Sequence, residues 1–71
     1  MNDRTFKREQ IRRSAVELAD AFQEAADAEA SGDFEAMETA DQKGVLQLVV
    51  ISMGAREYAK MVLPDVVDKG V

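Results

Sequence analysis

The sequence predicts an all-α fold, an antiparallel helical hairpin that assembles into an oligomeric helix bundle. Three observations lead there. Ile11, Ala15, Leu18, Phe22 and Ala25 recur at 4-3-4-3 spacing, the alternation of a packed helix seam. Ser31-Gly32-Asp33 breaks the chain at its middle with helix-closing and helix-opening residues. From Val45 to Ala55, eight of eleven residues are apolar, more than one neighbouring helix can cover.

The first helix is expected over residues 3–30, a stretch with no Gly or Pro and many good helix formers. At about 1.5 Å per residue it is roughly 40 Å long, too long to fold back into a compact globule of this size. Residues 31–33 make the turn, with Gly32 suited to a left-handed closing residue and Asp33 to the next N-cap. So short a connection makes the two helices antiparallel neighbours. The four residues Gly32-Asp33-Phe34-Glu35 resemble the corner of tetratricopeptide-type hairpins, but no repeat of roughly 34 residues follows.

The second helix is expected over residues 34–63, with Phe34, Met37, Leu48, Ile51, Ala55, Tyr58 and Val62 on one seam and Asp41 and Gly44 as its poor positions. A break at Lys43-Gly44 is the alternative and would create a third, short helix. Pro64 ends the second helix, because the residue before proline disfavours the helical region. Residues 64–71 are left as a tail, and 1–71 as a single domain.

A chain of 71 residues has a marginal core unless disulfides, metals or other chains support it. There is no Cys and no His, which removes disulfides, the commonest zinc ligand and the commonest general base. Association is the support that remains. Leu48 to Ile51 are four apolar residues in a row, which at about 100° each point almost all the way round a helix. Burying four further aliphatic side chains is worth on the order of 6–12 kcal/mol, comparable to the stability of a whole small domain. The residues expected at the oligomer interface are Leu46, Leu48, Val49, Val50, Ile51, Met53 and Tyr58. A three-helix monomer that covers this stretch itself is the competing arrangement.

Charge is sorted along the chain. Residues 1–13 carry five cations and two anions, residues 14–41 nine acids and no base, and residues 42–71 four cations and three anions. Folded as a hairpin, the chain has an acidic tip and a basic open end. Helix 1 also runs against its own dipole, with cations at its start and anions at its end. Antiparallel pairing of two hairpins, tip beside open end, would offset both features.

Asp27, Glu29, Ser31, Asp33 and Glu38 give a calcium candidate, with Gly32 at the turn position of an EF-hand spacing; a capped helix corner explains the same residues without a metal. Arg4, Arg8 and Arg12 recur every four residues and could hold an anion, including a small ligand between subunits. A net charge of −5 and the lack of interleaved aromatic readers argue against nucleic acid as the partner. The tip acids Asp27, Glu29, Asp33, Glu35 and Glu38 are the candidate contact to an unidentified protein partner.

No catalytic residue is assigned, since the serines and threonines have no His partner and the glycines are too dispersed for a phosphate loop. Neither cofactor nor metal is expected. The N-terminal residues lack the apolar region of a signal peptide and no segment spans a bilayer, so a cytoplasmic location is expected. The function expected is that of a small non-enzymatic oligomeric interaction protein: a regulator, adaptor or inhibitor of the kind phages and mobile elements encode. The alternatives are an acidic DNA mimic that inhibits a nucleic-acid-binding enzyme, and a module binding a small anionic ligand between subunits.

Overall fold

The chain folds into two long helices packed side by side, α1 (Asp3–Ala30) and α2 (Phe34–Val62), in a computed structural model that describes residues 3–65. The corner between them is built from hydrogen bonds the local sequence supplies. Gly32 takes the left-handed conformation (φ 81°) that its missing Cβ allows. Its N–H donates to the Glu29 carbonyl at 3.1 Å, and the Asp33 N–H to the Ala28 carbonyl at 2.9 Å, the pair of bonds that closes a Schellman cap. The Ser31 hydroxyl is a second donor to the Ala28 carbonyl, at 3.0 Å. One residue later the chain is helical again, because the Asp33 carboxylate accepts from the Ala36 N–H at 3.1 Å.

α2 runs without interruption through Lys43 and Gly44, so no break separates a third helix there. It ends at Leu63, whose N–H bonds the Ala59 carbonyl at 2.7 Å just before Pro64. Pro64 and Asp65 begin another helical turn. The rest of the expected tail, 66–71, lies outside the described residues.

The seam differs from the one expected. Ile11, Ser14, Leu18, Ala21, Ala25 and Ala28 of α1 face Met37, Ala40, Gly44, Gln47, Ile51, Gly54 and Tyr58 of α2. Ala15 and Phe22, expected in the α1 seam, are exposed, and so are Phe34, Leu48, Ala55 and Val62 of α2. Gly44, expected to be a poor seam position, is one of its buried residues. At 100° per residue, each helix is turned by roughly 50° from the expected orientation. The reason is size: Ser14, Ala21, Ala25, Ala40 and Gly44 let the backbones approach closely, and they are the buried residues of the hairpin. Phe22 lies at the seam's edge with its ring over Gly44, in space that a side chain at 44 would fill.

The result is a single layer of helices. It measures 47 × 29 × 14 Å, only a little thicker than one helix with its side chains. Among the described residues no large side chain is fully buried. Folded domains enclose a core between at least two layers, and this hairpin is one.

Candidate functional site

α1 covers the small-residue side of α2 and leaves most of its aliphatic surface open. Val45, Leu46, Leu48, Val49, Val50 and Met53 are all exposed, from 42% at Leu48 to 76% at Met53. These include five of the seven residues expected at the interface. The other two, Ile51 and Tyr58, are half-buried against α1, in the seam where their spacing also placed them. Val45, which the interface expectation omitted, belongs with the five by exposure. The sequence signal for it was there, since it opens the apolar run.

The open aliphatics fall on two sides of the hairpin. Leu48 and Val50 are two positions apart and therefore point roughly 160° away from each other. On the Val50 side, two shallow grooves of 350 Å³ and 280 Å³ run between the helices. Their apolar wall is Leu46, Val50 and Ile51, and their polar wall includes Arg13, Glu17, Asp20 and Glu24. On the Leu48 side, Val45, Leu48, Ser52 and Ala55 lie beside Ala15, Ala19, Phe22 and Ala26 of α1, all exposed and none charged.

The polar contacts between the helices sit at the open end and in the middle. Lys7 Nζ meets Glu57 Oε2 at 2.7 Å and Arg8 Nε donates to the Tyr58 hydroxyl at 3.1 Å, while Lys43 Nζ reaches Glu24 Oε2 at 3.3 Å. The Lys7 hydrogen bond and charge hold the Glu57 carboxyl below the usual range. The Arg8 hydrogen bond lowers the Tyr58 phenol, with Arg4 adding to the effect. Glu9 is pulled down to about 2, first by its hydrogen bond from Arg12 and then by Arg13.

Because the Glu57 carboxyl is depressed in the folded chain, its pair with Lys7 contributes stability above the unfolded carboxylate range and loses it as pH falls through the lowered value. Melting curves below about pH 4.5 should therefore show a small acid loss that Glu57→Gln removes in part.

The arginine stripe is not presented as a joint anion site. Arg12 is held by Glu9 at 2.6 and 3.0 Å, Arg8 is engaged with Tyr58, and Arg4 is exposed at the end of α1. The calcium candidate is not assembled either. Helix continues through Ala30 and resumes at Phe34, so Asp27 and Glu29 stand on α1 and Glu38 on α2, not around one loop. Asp27 accepts from Gln23 and Asp33 caps α2, and among the described residues no three acidic groups converge to hold a metal ion. The tip acids Asp27, Glu29, Asp33, Glu35 and Glu38 are all exposed. Glu29, Glu35 and Glu38 have no ion-pair partner among the described residues.

Among the described residues no helix is long and apolar enough to cross a membrane. No protein-family model matches the chain, and no similar curated protein or solved structure was found.

Proposed function

We propose that the protein is a non-enzymatic interaction module that works by burying the open surface of α2 against protein. One observation carries this: the large aliphatics Val45, Leu46, Leu48, Val49, Val50 and Met53 are exposed, while the buried residues of the seam are alanine, serine and glycine. A contiguous apolar surface on so small a chain is an interaction surface by default. It also answers the stability problem of a single layer, since the missing core comes from the other chain. The regulator, adaptor and inhibitor roles expected from the sequence are all uses of such a surface.

The test is the native mass across concentrations, by sedimentation or light scattering, for the parent and for aspartate placed in turn at Val45, Leu48, Val49, Val50 and Met53. The parent should be heavier than one chain, and some of the substitutions should lower that mass. A single, well-folded chain at high concentration, with mass and helicity indifferent to every substitution, overturns the proposal.

A second reading has support from the tip. Glu29, Glu35 and Glu38 stand exposed, with no cation among the described residues paired to them, as they would in a mimic of the nucleic-acid backbone. In that case binding to a nucleic-acid-handling enzyme should weaken as salt is raised and on Glu35→Lys. Binding indifferent to both removes this second reading.

A further inference from the structure

We infer that the uncharged face around Leu48 is covered by a second copy of this chain, packed antiparallel so that the acidic tip of each lies over the basic open end of the other. The inference rests on the proposed burial of α2 and names which side is buried and by what.

The rotation of the two helices is the first observation. The spaced apolar series of α1 (Ile11, Ala15, Leu18, Phe22 and Ala25) and of α2 (Phe34, Met37, Leu48, Ile51, Ala55, Tyr58 and Val62) are each centred about 50° away from the packed seam, and both turn toward the Leu48 side. Two helices that only needed each other would point their arcs at each other. In a square four-helix bundle each helix has two neighbours roughly at right angles, and the core lies about 45° from either one. The hairpin has the geometry of half a bundle. Its open half-core is Ala15, Ala19 and Phe22 of α1 with Val45, Leu48 and Ala55 of α2.

Area is the second observation. A compact monomer of this mass exposes about 4,400 Å², whereas this chain exposes 5391 Å². The excess, on the order of 1,000 Å², is close to the ~800 Å² that each partner contributes to a stable interface.

Charge chooses the occupant and its direction. Residues 17–43 carry nine acids and one base, whereas the open end (residues 3–13 and 56–60) carries seven cations and three anions. Laid face to face and tip to tip, two copies would stack acid on acid. Turned end for end, Arg8 of one copy comes beside Glu29 of the other, and Arg56 beside Asp41. The cations that run against the dipole of α1 then gain opposite charges across the interface. An antiparallel pair with this symmetry is isologous, each copy using the same face, so it closes without leaving a free end to grow a fibre.

In this arrangement Leu48 lies near the two-fold axis and meets its own copy. The chain has no cysteine, so single-cysteine variants report cleanly. Leu48→Cys should form a disulfide-linked dimer under mild oxidation. A spin label on Ala26→Cys should show a label-to-label separation of about 25 Å, from 1.5 Å of rise per residue on either side of the axis. A tip-to-tip pair would instead bring those labels within about 15 Å, given interaxial distances of 8–10 Å.

Cross-linking at Leu48 with the longer separation supports the inference. The shorter separation overturns the orientation and with it the charge argument. Association that persists without Leu48 cross-linking, and is lost on Val50→Asp or Met53→Asp, overturns the inference while leaving the proposed function standing. A folded single chain at every concentration overturns both.

Discussion

Replacing Leu48 with aspartate is expected to dissociate the protein into single chains, weakening self-association at least about 100-fold. The size follows from position. Near a two-fold axis one substitution removes two buried leucines, each worth roughly 1.5–3 kcal/mol, and every 1.4 kcal/mol is tenfold in affinity. The two new carboxylates would also face each other in a site with no cation among its exposed apolar neighbours. Sedimentation equilibrium measures the dissociation, and far-ultraviolet circular dichroism of the same samples reports whether the freed hairpin keeps its helices. Val50→Asp is the control. It makes the same chemical change on the opposite side of α2, next to the grooves, and should leave the dimer intact. Equal losses at both positions would place the second copy elsewhere.

The second large effect is expected inside the seam. Gly44 is buried with the Phe22 ring across it, and a Cβ at this position would lie 2.6 Å from Phe22 Cδ1. Gly44→Val must displace that ring. Overpacking of this kind costs about 1–3 kcal/mol, which for a chain of this length lowers the melting temperature by on the order of 10 °C. The same substitution in a Phe22→Ala background should cost less, because the clashing group is gone, and the difference measures the coupling between the two residues.

Gly54 has the opposite expectation. The nearest atom to a Cβ there is Ile11 Cγ1 at 4.0 Å, so alanine fits and the helix gains about 1 kcal/mol of propensity. Thermal melts should show Gly54→Ala raised by roughly 4–8 °C. If Gly44→Val is neutral, or Gly54→Ala is destabilising, the close approach of the helices is not where the seam residues place it.

The helices and their corner were legible because the signals are local. Gly32 closes α1 through a backbone conformation that few other residues adopt, Asp33 opens α2 through one side-chain hydrogen bond, and Pro64 follows directly on the end of α2. Each needs only residues within a few positions of itself. The rotation of the helices was not legible in the same way. Spacing alone admitted Ala15 and Phe22 into the α1 seam, since they are apolar and correctly phased, and nothing in the spacing favours Ser14 over Ala15. Gly44 counted as a defect in a seam judged by hydrophobicity, and became an asset in one judged by how closely two backbones can approach.

The calcium spacing failed for a related reason. A ligand pattern in sequence becomes a site only if the chain coils around a point, and here the helices continue through most of the pattern. The arginine stripe lines one side of α1 as its spacing implied. Glu9 and Tyr58 had already engaged Arg12 and Arg8, and the second of these partners comes from the far end of the chain.

By itself the sequence determined the corner that separates two helices, the hairpin order, the sorting of charge into two ends and the surplus of aliphatic residues on α2, but left open whether α2 continues through Gly44. Only the tertiary structure decided which of those aliphatics stay open and toward which side they turn. Helix boundaries depend on hydrogen bonds made a few residues away, whereas the angle of a helix about its own axis depends on the volumes of residues that meet across the hairpin, such as Phe22 and Gly44.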